Sequence, residues 1–401
     1  ILTQFGLTPE NVDQMITFEG DTVTLKTDKA YAPSFVYNCL TAGVANIVDM
    51  KTVMANEVEG DMGNAWLKAN SAGTGAYVLK SFKPNEGYVL EARAGHWRGD
   101  AKIKNIFMQH IPEGATQRLL LEKGDIDIAR ELTPTDLEGL GGNADVKIQS
   151  DVGGQVYYLA LNQKKAELAN PKVQEAMRWA IDYTGMQDSI LKGLWVVHQN
   201  FLPKGFLGAI DENPYSLDIE KAKALMAESG LTLPIEIGFT VRNNQERMDI
   251  ATSIQNTFAQ IGINLVLDVG DGKQGLETYR GRKHDITLQT WGPDYPDPHT
   301  NASTFALNPD NSDEANATGY LAWRTAWDPG ADLNAETSAA VEEKDSAKRA
   351  EMYADIQRKV RDNSAFVLMF QQARQDAMRA NVTGFYAGGA TDSATYWTIS
   401  K

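Results

Sequence analysis

The stretch "TWGPDYPDPHTN" (290–301) puts a Trp, a Tyr, three Pro, two Asp and a His into twelve residues. Proline fixes φ and removes a backbone donor, so this is neither a helix interior nor a central strand. The preceding "HDITLQT" (284–290) alternates Ile286 and Leu288 with polar neighbours, as a short strand does. The segment therefore reads as the loop at the end of a strand. Such a loop presents aromatic and charged groups to a ligand, or else lies on the surface with its Trp capping a core.

Upstream of that loop, helices and strands alternate. "NPKVQEAMRWAIDYTGMQDSIL" (170–191) predicts a helix with Asn170 at the N-cap and Pro171 in the first turn. "DIEKAKALMAESG" (218–230) and "QERMDIATSIQNTFAQIGI" (245–263) predict two more. "GQVYYLALNQ" (154–163), "PIEIGFTV" (234–241) and "NLVLDVG" (264–270) read as strands. This is the pattern of a mixed or parallel sheet flanked by helices, where ligands gather at the carboxyl ends of the strands. The opening loop occupies such a place. Earlier in the chain, "TVMANEVEGDMGNAWLKAN" (52–70) predicts a helix, and 73–97 predicts a hairpin around the turn "KPNEG". After the loop, 335–360 predicts an amphipathic helical stretch with opposed charges, a solvated face.

Composition narrows the function. The chain of 401 residues is long enough for two or more domains. Its net charge of −15 disfavours nucleic acid or anionic membrane as partner. No apolar run reaches the roughly 20 residues of a membrane span. Cys39 is the single cysteine, which excludes an internal disulfide and reads as a small buried hydrophobe. The five histidines are scattered without metal-ligand spacing, and no P-loop, GxGxxG or GxSxG motif occurs. No catalytic residue, metal or cofactor is expected.

Several stretches together resemble one family, the periplasmic solute-binding proteins of peptide-type ABC transporters (the dipeptide, oligopeptide and nickel group). "NSAGTGAYVLKSFKPNEGYVLEARAGHW" is similar to its "P-x-G-T-G-P-Y" turn and hairpin, with Ala76 in place of the proline. "LLLEKGDIDIA" resembles its "L-x-x-G-x-I-D". "VYYLALNQ…NPKVQEAMRWAID" resembles its "L-x-x-N…D-x-R-V-R-x-A-L-x-x-A-I-D". "IQNTFAQIGINLVL" resembles its "I-Q-x-x-L-x-x-I-G-I", and "WGPDYPDP" its "W-x-x-D-Y-P-D-P". These motifs run in the same order over residues 70–300.

The resemblance implies an α/β, two-lobed clamshell fold with mixed sheets flanked by helices and an extra subdomain. Residues 1–70 would form a partial extra subdomain of the first lobe, 71–187 and 381–401 that lobe, and 188–380 the second. It also implies that the chain lacks about 100 N-terminal residues of a typical member, and with them an early strand of the first lobe. The implied function is that of the extracytoplasmic, periplasmic solute-binding component of an ABC importer. It would capture a peptide or amine-bearing solute in the cleft between lobes and deliver it, as a monomer, to the membrane permease.

In peptide-binding members the Asp of W-x-x-D pairs with the ligand's α-ammonium; here that is Asp294, or else Asp294 is a turn-stabilising carboxylate. Trp291 and Tyr295 would form rigid apolar walls. Asp297, between two prolines, reads as structural. Arg242 is the nearest match to the family's carboxylate-binding Arg, or is a solvated loop charge. Tyr158 and Asn162 share one strand face and either touch ligand or belong to the lobe core. An oligosaccharide or opine-like conjugate is an alternative ligand. A hydrolase using Asp294 and Asp297 is disfavoured, because glycosidase carboxylates face each other across a bond about 5–10 Å apart.

Overall fold

The computed structural model describes residues 6–388, 391 and 394–401. Twelve strands occur among them: β1 (Ile16–Glu19), β2 (Thr22–Leu25), β3 (Tyr77–Lys83), β4 (Gly87–Ala92), β5 (Asn105–Gln109), β6 (Ile128–Ala129), β7 (Val146–Leu161), β8 (Trp195–Val197), β9 (Ile235–Arg242), β10 (Ile263–Gly270), β11 (Ile286–Trp291) and β12 (Phe366–Arg379). The chain divides into two compact units. One holds residues 1–41 and 152–373, the other 42–151 and 374–401. The chain passes between them after Thr41, within β7 and within β12.

The larger unit is built on a mixed sheet in which β10, β9, β11, β7 and β12 are successive neighbours, with β8 on β12. β9 runs parallel to β10 and to β11, and β7 runs antiparallel to β11 with Trp291 opposite Val156 and Ile286 opposite Leu161. From Val156 to Leu161 every residue of β7 is buried, because helices cover both faces of the sheet. The helix Pro171–Trp179 packs against the helix Ile219–Glu228, and its Val173, Ala176 and Met177 enter the same core as Ile237, Phe239 and Leu288. The predicted 170–191 helix is two helices, Pro171–Trp179 and Tyr183–Asp188. The first ends at Trp179 with Ala180 as its C-cap, and Asp182 caps the second by accepting from the Gly185 amide.

The division differs from the expected one at three places, the smallest being residues 374–380, which fall with the C-terminal residues in the smaller unit. Residues 152–187 belong with the larger unit, since their strand and helix build its sheet and core. Residues 6–41 join it too. Leu7, Tyr31, Phe35 and Cys39 form one apolar cluster with Tyr295 and Val341, and the Ala32 amide donates to the Val341 carbonyl at 2.9 Å. Cys39 is buried there, and burial pushes its thiol up to about 12, in keeping with an inert small hydrophobe.

The smaller unit carries the antiparallel sheet β3–β4–β5 and pairs β6 with the far end of β12. The predicted hairpin is present as β3 and β4. Its turn needs glycine at Gly87, where φ is 145° and a Cβ would lie 1.9 Å from the Met108 carbonyl oxygen. The helix expected over 52–70 is absent. Only Met50–Met54 and Asn64–Leu67 are helical, because Glu59, Gly60, Met62 and Gly63 all take positive φ in between. The opposed-charge stretch near the C-terminus is two helices, Gly330–Ala340 and Ser346–Asn363, separated at the Asp345 N-cap.

Candidate ligand-binding site

In the larger unit β9, β10 and β11 are parallel, so their carboxyl ends share one edge of the sheet. Each end runs into a helix whose first turn is capped by a side chain. Asn244 accepts from the Arg247 amide, Asp271 from the Gln274 amide, and Asp297 from the His299 amide. This edge is where an open α/β sheet takes ligand.

The loop after β11 alternates buried and exposed residues. Trp291 is half-buried and meets the Phe305 ring edge-on, centroids 5.9 Å apart. Asp294 is exposed. Its amide donates to Thr300 Oγ1 at 3.2 Å, while its carboxylate has no ion pair or hydrogen bond among the described residues. Tyr295 is 1% exposed and sits edge-on to Phe35 at 5.9 Å. It anchors the loop in the core rather than walling a site. Asp297 is fully buried, with a bidentate pair to Arg349 at 2.7 and 2.9 Å. Asp297 is therefore a structural carboxylate, taken up by Arg349 and the His299 amide.

Arg242 ends β9, is exposed, and has no ion pair among the described residues. Its side chain lies across the start of the helix Gly272–Arg280, which follows β10, where a Cβ on Gly272 would come 3.1 Å from Nε. Tyr158 and Asn162, candidates for ligand contact, are buried instead. Tyr158 lies between Phe305 and Phe366, edge-on to both rings. Asn162 Nδ2 donates to the Arg282 and His284 carbonyls at 3.0 and 2.7 Å, and Oδ1 accepts from the Lys164 amide. Strand alternation put these two on one face, but both faces of β7 are covered.

Four further residues gather at the same edge. Tyr157 Oη donates to Glu246 Oε1 at 2.6 Å, and Trp195 Nε1 donates to Oε2 at 3.3 Å. The two rings pack 4.3 Å apart. The Arg247 guanidinium lies 5.3 Å from the Tyr157 ring and donates to the Leu288 carbonyl and Thr290 Oγ1, both at 3.0 Å. Burial raises the Tyr157 phenol far above its ordinary range, so it stays a neutral donor. The sequence signal for Glu246 and Arg247 was their place in the first turn of a helix that follows a parallel strand. Trp195 had no such signal.

Residues 4–313 match the family "Bacterial extracellular solute-binding proteins, family 5 Middle". The chain belongs to that family. Its members bind solutes and are not enzymes, and the motifs from the hairpin to "WGPDYPDP" fall within the matched residues. A probable D,D-dipeptide-binding periplasmic protein of Escherichia coli (strain K12) is 28% identical over 370 residues, 91% of this chain and 68% of that protein. An ABC transporter-associated periplasmic binding protein from Helicobacter pylori, solved with the peptide STSA, superposes with a TM-score of 0.81 at 19% identity, over 96% of this chain and 73% of that one. A binding protein from A. tumefaciens R10, solved with agropinic acid, does so with a TM-score of 0.76 at 19% identity, over 99% and 81%. These structures establish the fold, that of the two-lobed periplasmic binding proteins. Among the described residues no helix is long and apolar enough to cross a membrane.

Proposed function

We propose that this family 5 protein captures a small peptide, or another solute bearing a primary amine, and delivers it to the membrane permease of an ABC importer. It works in the periplasm as a monomer and catalyses no reaction. One observation carries the reading: at the carboxyl ends of three parallel strands, Asp294 offers a carboxylate that no described residue neutralises, on a loop held by buried neighbours on its C-terminal side. A ligand ammonium supplies the missing partner through a charge-assisted contact. Trp291 stands three residues away as an apolar surface, and Arg242, without an ion pair among the described residues, is available to a ligand carboxylate at the same edge.

The relative described as D,D-dipeptide-binding supports a peptide-like ligand. The neighbour solved with agropinic acid is one whose ligand is not a peptide, so the fold alone does not fix the ligand. Incubation with a defined mixture of peptides and amine-free sugar conjugates, gel filtration and native mass spectrometry test the proposal. An intact peptide retained at one per chain is the expected result. Cleaved products would indicate an enzyme. Retention of an amine-free sugar conjugate in preference to every peptide would overturn the ammonium reading.

A further inference from the structure

Arg349 lies on the helix Ser346–Asn363 and is 1% exposed. Every N–H of its guanidinium has an acceptor. Nε donates to the Ala340 carbonyl at 3.0 Å. Nη1 donates to Asp297 Oδ2 at 2.9 Å and to Ser34 Oγ at 3.2 Å. Nη2 donates to Asp297 Oδ1 at 2.7 Å and to Tyr353 Oη at 3.3 Å. Three stretches remote in sequence thus meet on one side chain: the helix Pro33–Cys39, the start of the helix Pro298–Ala306, and the helix Ser346–Asn363.

A buried ion pair is a poor source of net stability, since well-packed apolar residues do as well or better in its place. What the planar fork supplies is a fixed direction for the carboxylate it holds. That carboxylate controls the loop. Asp297 caps the helix through the His299 amide, and its own amide closes on the Tyr295 carbonyl at 2.9 Å. One turn further on, Thr300 Oγ1 accepts from the Asp294 amide. Phe35 closes the other side, edge-on to Tyr295 and to His299 at 5.9 and 5.5 Å. Displacing Asp297 therefore displaces the turn that carries Asp294.

We propose that Arg349 is a positioning residue of the site: clamped on Asp297 and braced by Ser34, it sets where the exposed carboxylate of Asp294 stands. The inference rests on the function proposed above for Asp294, and its test is built to fail separately. Arg349→Lys keeps the charge and loses the fork. Hydrogen exchange resolved to single amides should show Asp294, Asp297 and Thr300 exchanging at least about tenfold faster, with Leu288 and Phe239 in the sheet unchanged. Affinity for the probe L-alanyl-L-alanine should fall about tenfold, because the binding-competent loop is less populated. Ser34→Ala removes only the brace and should shift the same amides less, which keeps the test open if the lysine variant does not fold. Loop exchange that stays at the parent rate, or that rises in step with Leu288 and Phe239, overturns the proposal. If the parent protein does not bind the probe, the function reading is what fails; the exchange comparison uses no ligand and still decides the role of Arg349.

Discussion

Asp294 and Asp297 stand three residues apart, yet the same substitution should act on different properties at the two positions. At Asp294 the carboxylate is exposed and makes no hydrogen bond or ion pair with other described residues, so Asp294→Asn should leave stability within about 0.5 kcal/mol of the parent. Its effect falls on binding. Losing one partner of a charge-assisted contact costs about 2 kcal/mol or more, roughly thirtyfold in affinity. At Asp297 the order reverses. Both members of its pair with Arg349 are 1% exposed, and neutralising the carboxylate leaves a buried guanidinium without a counter-charge. Breaking such a pair costs about 3–5 kcal/mol, a large share of the 5–15 kcal/mol that holds a typical domain folded. Urea unfolding followed by circular dichroism measures the first quantity. Calorimetric titration with the peptide recovered by mass spectrometry measures the second. If Asp294→Asn binds like the parent while its unfolding midpoint falls, the carboxylate builds the turn and the site reading is refuted. If Asp297→Asn unfolds like the parent, the buried pair is not what holds the loop.

Asn162→Ala should destabilise the fold by about 1–3 kcal/mol, since it strips partners from two carbonyls and an amide, and should leave ligand affinity unchanged in a folded sample. Trp291→Phe should weaken binding less than Asp294→Asn in the same titration, because an apolar wall remains. Stability should fall as pH drops below about 6.5. Burial holds His198 and His284 down to about 4 and His299 to about 3, so the unfolded chain takes up protons that the folded one refuses. Each contributes up to about 1.4 kcal/mol of loss per pH unit until its folded-state value is reached. Hydrogen bonds from Arg358 and Arg361 hold Glu212 at about 2. They add a further loss as pH falls from its ordinary range toward that value, a small one because the group is exposed. Urea midpoints between pH 7.5 and 5 check the histidine part. His284→Phe should flatten the slope, and a midpoint independent of pH would refute it.

The order of elements from 154 to 291 was legible because it rests on local physics. Apolar spacing, an Asn-Pro start and a terminal glycine act within a few residues, so strands and helices could be placed within a few positions. So was the exposed Asp294 beside Trp291, since prolines mark a loop wherever it sits. Where local rules compete, the sequence underdetermined the result, as when positive φ at Gly60 and Gly63 broke an otherwise helical pattern. Burial of both faces of β7 could not be read at all. Alternation marks one wet face only when one face is wet, and helices on both sides of the sheet turned Tyr158 and Asn162 into core. The clamp is the clearest case. Ser34, Asp297 and Arg349 are separated by 263 and 52 residues and share no motif. Only packing brings an arginine and an aspartate together in a place without water, where each needs the other as its hydrogen-bonding partner and counter-charge.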